Sequence, residues 1–155
     1  MRFRGFTLIE LLVTMALISL LATMALPLAE LTMQRSKEAE LRSALRQIRS
    51  ALDAYKQAFD EGRIIQHPGD SGYPRNLNTL VQGIDDAKSP VRARMYFLRS
   101  IPRDPFSNPS TMPEETWGLR SYRSSHELPQ RGDDVYDVYS QSSGVGINGI
   151  AYKEW

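Results

Sequence analysis

Hydrophobic and polar positions divide this 155-residue chain into three stretches. From Leu11 to Ala29 no charged residue occurs. At about 1.5 Å per residue, a helix of that length crosses a bilayer core of about 30 Å. Beyond it the pattern turns amphipathic. Leu41, Leu45, Ile48, Leu52, Tyr55 and Phe59 recur at alternating spacings of four and three, while Lys37, Glu38, Glu40, Arg42, Arg46, Arg49, Asp53 and Lys56 fill the opposite face. Between Pro27 and Gly62 there is no proline or glycine, and Gly62 suits a C-cap. The pattern predicts one helix from Phe6 to about Glu61, with a kink or a locally melted turn at Pro27. Packing of the second half on its own head is favoured over a coiled coil, for which only a few heptads are available.

The third stretch, from Arg63, is rich in Pro, Gly, Ser and Asn. It reads as a loop at Gln66–Gly72, a short helical turn at Asn76–Val81 and a helix at Val91–Leu98. Ser89 and Pro90 would open that helix, with Val91, Met95 and Leu98 facing inward. Pro102, Pro105, Pro109 and Pro113 rule out regular structure between them. Trp117–Ser124 and Asp134–Ser140 read as strands, the second placing Val135, Asp137 and Tyr139 on one face. Ile147–Tyr152 is expected as a third short strand. A long helix against a short antiparallel sheet makes the fold class α+β.

Composition adds two constraints. Net charge is +1, and removing Arg2 and Arg4 leaves 17 basic against 18 acidic residues. A near-neutral body carries no electrostatic footprint for nucleic acid. There are no cysteines, so no disulfide staples the small head. Docking of a long helix is the expected substitute.

The most specific chemistry lies at the start. Met1-Arg2-Phe3-Arg4-Gly5 is a basic leader, and Phe6-Thr7-Leu8-Ile9-Glu10 places one acid at the mouth of the apolar run. The leader arginines keep the N-terminus cytoplasmic and send the remainder across the membrane. A cleavable secretory signal would use Thr23 and Ala25 as its small residues, yet its apolar core is ordinarily shorter than this run. It would also have no use for Glu10, because a carboxylate among apolar side chains is costly and marks a partner or a function. A cut after Gly5 would free an α-amine on Phe6. Glu10 would neutralise either its own amine, one helical turn away, or that of a neighbouring subunit. In the second case every wrong stagger between helices leaves a buried charge unpaired, and the carboxylate sets register. Snorkelling of Glu10 to the interface is the plain structural alternative.

Gly5-Phe6-Thr7-Leu8-Ile9-Glu10, followed by Leu11-Leu12-Val13, resembles the cleavage and methylation signature of type IV prepilins and type II secretion pseudopilins. The resemblance implies removal of Met1–Gly5 by a prepilin peptidase, which also N-methylates Phe6. It further implies an assembly role for Glu10 and for Pro27, where filaments of this family unwind locally. Tyr73-Pro74, then Ile101-Pro102-Arg103-Asp104-Pro105-Phe106-Ser107-Asn108-Pro109, then Tyr136-Asp137-Val138-Tyr139-Ser140, are similar to landmarks of the major (G-type) pseudopilin of type II secretion.

On that reading the chain divides into a leader (1–5), a transmembrane and filament-core helix (6–29), an amphipathic helix (30–62) and a periplasmic head (63–155). The expected protein is not an enzyme. It is a single-pass inner-membrane subunit whose partners are further copies in a homo-oligomeric filament, other pseudopilins, the peptidase-methyltransferase and an inner-membrane platform. A type IV pilus subunit is the alternative within the class. A signal-anchored periplasmic enzyme or binding protein is the alternative outside it.

The resemblance also implies calcium in the loop after the last strand. Here Ser140–Gly149 contains no acid, whereas calcium wants six to eight oxygens with carboxylates among them. Only weak binding is expected, and Tyr152 and Trp155 are the candidates to pin the loop instead. His67 and His126 are far apart in loop-like segments, without acid spacing suited to a metal. Arg92, Arg94, Arg99 and Arg103 form either a solvated face or a contact with Glu114, Glu115, Asp133 and Asp134 of a neighbour.

Overall fold

A computed structural model describes residues 5–155, apart from the side chains at 24–26. Helix α1 (Leu8–Asp60) runs through two compact units, one ending at Ser36 and one spanning Lys37–Trp155. The expected helix from Phe6 to Glu61 is therefore found a little shorter at each end.

In the first unit the apolar side chains point in every direction. Leu11, Leu12, Val13, Leu17, Ile18, Leu20 and Leu21 are all exposed. A helix apolar all round is suited to lipid or to a bundle of its own kind, not to water. Its hydroxyls are returned to the backbone: Thr14 donates to the Leu11 carbonyl at 2.9 Å, Ser19 to Met15 at 2.8 Å and Thr23 to Leu20 at 2.7 Å. No polar group among them depends on solvent. Pro27 lies inside the continuous helix, so of the kink or melted turn expected there the melted turn is not present. One missing N–H leaves the flanking i to i−4 bonds in place.

In the second unit the predicted stripe is the core. Leu41, Leu45, Ile48, Leu52 and Tyr55 are buried, with Phe59 packed against them, and Ala44, Ala51 and Ala58 extend the seam. They meet Ile64, Leu77, Leu80, Trp117, Val135, Val138 and Tyr152. Helix α1 ends in a Schellman motif: Gly62 N–H donates to Phe59 and Arg63 N–H to Ala58, each at 2.9 Å, with Gly62 at φ +70°. Two charges expected on the opposite face lie on or beside the buried stripe, Glu38 by its three-residue spacing from Leu41. Glu38 is buried, and Arg49 is half-buried and bonded to the sheet.

Beyond 3-10 turns at Pro113–Thr116 and Tyr152–Glu154, the remaining elements are α2 (Asn78–Gln82), β1 (Ile84–Asp85), β2 (Arg94–Met95), β3 (Trp117–Arg120) and β4 (Asp137–Ser140). They form two separate antiparallel pairs, β1 with β2 and β3 with β4. The class is α+β, as expected, but three details differ. The helix expected at Val91–Leu98 is absent. Ser89 accepts from the N–H groups of both Arg92 (carbonyl, 3.0 Å) and Ala93 (hydroxyl, 3.2 Å), which closes a turn instead of capping a helix. Arg92 sits in the left-handed region at φ 48°, and the chain then zips back along β1, leaving Val91 exposed rather than inward. The third strand is reduced to one bridge, Val145 to Ala151, followed by a 3-10 turn at Tyr152–Glu154. Strand β3 starts at Trp117 as predicted but stops at Arg120, and β4 ends at Ser140 but starts only at Asp137, as Ser121 N–H turns to the Gln130 carbonyl at 2.9 Å and Val135 N–H to the Pro74 carbonyl at 2.8 Å.

The register of β3 on β4 explains a glycine. Gly118 pairs with Tyr139, and a Cβ there would lie 2.3 Å from the tyrosine ring. The proline-rich segment is ordered without regular structure by Asp104, which is 1% exposed. Asp104 accepts from Ser140 Oγ at 2.6 Å and from Phe106 N–H at 2.8 Å, while Trp117 Nε1 donates to the Pro102 carbonyl at 2.8 Å. No buried side-chain polar atom among the described residues lacks a partner.

Candidate functional site: the N-terminal segment

The predicted processing residues lie together at the start of the described chain. Gly5, Phe6 and Thr7 precede the helix, which begins at Leu8. Nothing lies within 4 Å of a Cβ built on Gly5, and Phe6 is 86% exposed. The Gly5–Phe6 peptide is therefore open and non-helical, as a peptidase requires of a bond it is to grip. The leader residues before Gly5 lie outside the described residues.

Glu10 has a local partner that the sequence reading missed. Thr7 N–H and Thr7 Oγ1 both donate to Glu10 Oε2 at 3.0 Å, and Glu10 N–H returns a bond to Thr7 Oγ1 at 3.3 Å. This is a capping box, with Thr7 as N-cap and Glu10 as the third helical residue. It satisfies orphan N–H groups at the helix start and places the acid at the positive end of the helix dipole. The signal was legible as Thr7-x-x-Glu10 immediately before an apolar run. Because Phe6 lies outside the helix, it does not share a helical face with Glu10. While the leader is attached, the Phe6 nitrogen is an amide, and the carboxylate is held by Thr7.

Other candidate residues are dispersed. His67 touches Asp70 at 3.3 Å on the surface, where the His67 backbone N–H holds the Asp70 carboxyl below its ordinary value. His126 is exposed elsewhere. Among the described residues no group of three His, Asp or Glu side chains is placed to hold a metal ion. Arg94 pairs with Asp85 at 3.3 Å and Arg103 donates to the Asn108 carbonyl at 3.1 Å, so half of the arginine cluster is engaged within the head.

Two ion-paired sites tie the head to α1 or to the loop after it. Asp137 is shared between Arg49 (2.8 Å) and Arg120 (3.1 Å), and Arg49 also donates to the carbonyls of Val138 and Trp155. Asp86 accepts two bonds from Arg63, at 3.0 and 2.7 Å, and one from Lys88 N–H at 3.0 Å. Those donors, Arg63 first, hold the Asp86 carboxyl below the usual carboxylate range.

Residues 1–26 match the family model described as the prokaryotic N-terminal methylation motif. The match covers the processing segment and most of the apolar run, and not the head. No curated protein and no solved structure matches the chain. The motif supports a type IV pilin-like subunit that is cleaved and methylated by a prepilin peptidase. With the long apolar helix it fits a membrane-anchored, single-pass protein.

Proposed function

We propose that this chain is a pseudopilin: a structural subunit that loses Met1–Gly5, is methylated on Phe6, and stacks with its copies into a periplasmic filament serving type II protein secretion. The observation that carries the reading is the open Gly5–Phe6 bond ahead of the capped, all-round apolar first stretch of α1, in which Glu10 is the one acid before Glu30. The cut creates a cation next to that acid. The capping box has already oriented the carboxylate toward the helix start, where the freed amine of a neighbouring copy arrives. Trading neutral donors for an ammonium strengthens the contact, since charge-assisted bonds are the stronger kind. Pro27, with its missing N–H, is the place where α1 yields most readily when helices pack.

The finer assignment to the G-type subunit draws support from how its three landmarks meet. Pro74 accepts from Val135 N–H at 2.8 Å, and the Tyr73 and Tyr136 rings lie edge to face at 5.0 Å. Asp104 of the second landmark accepts from Ser140 of the third. Motifs that are far apart in sequence thus form one bonded unit of the head. A type IV pilus subunit shares the processing motif, and fibre location separates the two. The chain is expressed with its peptidase and secretion machinery, and fibres are sought by immunogold labelling. Periplasmic fibres support the pseudopilin; surface fibres assign it to a pilus; a processed chain that forms no fibre at all refutes self-assembly.

A further inference from the structure

The segment Ser140–Trp155 is long, glycine-rich and short of secondary structure, yet it is closed firmly on α1. The closing group is not in the segment. Glu38, buried on α1, accepts from Ile147 N–H at 2.8 Å and from Tyr152 Oη at 3.1 Å, both on Oε1. The Tyr152 ring stacks on Phe106 at 4.2 Å and meets Trp155 edge-on at 5.1 Å. One helical turn beyond Glu38, Arg42 lies 4.3 Å over the Trp155 ring, and Arg49 donates to the Trp155 carbonyl at 2.8 Å. Inside the segment, Gly146 N–H donates to Ile150, Tyr152 N–H to Gly144, Gly144 N–H to Ser142 Oγ and Ile150 N–H to Asn148 Oδ1.

This arrangement does not fit calcium. The segment's one carboxylate, Glu154, is exposed. The nearby acids face separate partners: Asp137 lies between two guanidinium groups, Asp104 is turned to Ser140 and Phe106, and Glu38 to Ile147 and Tyr152. Arg42 and Arg49 also lie against the segment and repel a divalent cation, whereas a calcium site gathers several carboxylates around one point. Donors, not acceptors, converge on Glu38 Oε1.

We propose that the Glu38 carboxylate performs the closure a divalent cation would otherwise perform, so that the head holds its C-terminal segment without metal. Two donors from the segment share the one oxygen Oε1, and hydrogen bonds to a carboxylate are stronger than those to a neutral acceptor. The inference does not depend on self-assembly.

The test uses the full chain in detergent, with amide hydrogen exchange of Ile147 and thermal unfolding followed after dialysis against EGTA and again in millimolar calcium chloride. The expected result is the same melting temperature and the same Ile147 protection in both. Glu38→Ala should speed exchange at Ile147 by at least about tenfold. Glu38→Gln, whose amide oxygen still accepts from both donors, should speed it less. Loss of protection in EGTA, or a gain in calcium, overturns the proposal in favour of a metal-closed loop. Unchanged Ile147 protection in Glu38→Ala overturns it as well. If Glu38→Ala fails to fold, Tyr152→Phe removes a single donor and should show a smaller acceleration; no acceleration there contradicts the lock.

Discussion

Helix α1 has two halves with different employment, and truncating one leucine in each separates them. Leu52 is 0% exposed, in the middle of the seam between Ile48 and Tyr55, while Leu12 is 58% exposed in the first unit. Leu→Ala removes about three CH₂-sized groups at about 0.8 kcal/mol each, and a fully enclosed site adds a cavity term, giving roughly 3 kcal/mol within the usual 2–5. For a head of this size each kcal/mol moves the melting temperature by about 3–5 °C, so Leu52→Ala should lower it by about 10–15 °C. Leu12→Ala removes nothing enclosed in the subunit and should stay within about 0.5 kcal/mol, or roughly 2 °C. The assay is thermal unfolding of the full chain in detergent by near-ultraviolet circular dichroism, which reports on Trp117 in the core. A shift below about 3 °C for Leu52→Ala, or an equal shift for Leu12→Ala, refutes the division of labour.

Three further outcomes are expected. Asp137→Ala leaves Arg49 and Arg120 facing each other without a counter-charge; both pairs keep some solvent access, so the loss should be about 1–2 kcal/mol by urea unfolding, and a double-mutant cycle with Arg120→Ala should show coupling. The Asp86 carboxyl is held below its unfolded value of about 3.9, so its contribution is complete above that pH and is lost as pH falls through the lower folded value. The stability difference between wild type and Asp86→Asn should be constant above about pH 5 and shrink in more acid solution; a difference that grows on acidification contradicts the assignment. Glu10→Ala should leave the subunit in the membrane and reduce filament yield sharply, and normal yield from that variant would remove Glu10 from the assembly step.

What the sequence made legible was what repeats or punctuates. The four-three stripe from Leu41 to Phe59 specified the buried face of α1 because burial against one partner leaves a periodic trace. Gly62 marked the helix end because a positive φ favours glycine there. The misreadings share a different cause. Ser89-Pro90 has the residues of a helix start, but the same serine closes a turn when β1 offers a strand edge to pair with, and tertiary context decides. Glu38 continues the four-three spacing ahead of Leu41 and Arg49 flanks it, but their charges argued for a solvated face. Their partners, Ile147, Tyr152, Asp137 and Trp155, lie so far along the chain that no local window contains both ends. Gly5, Phe6 and Glu10 stood out in the sequence as candidates for processing and assembly, and the capping role of Thr7 beside them was legible but unread.

Cleavage of the Gly5–Phe6 bond to release a subunit built for stacking is the step on which the proposed function rests. Intact-mass analysis of the membrane fraction, from cells with and without the prepilin peptidase, tests it most directly. With the peptidase, the predicted species begins at Phe6 and carries one added methyl group; without it, the chain keeps its leader. A chain that retains Met1–Gly5 in the presence of the peptidase, or one cut near Ala25, contradicts the claim.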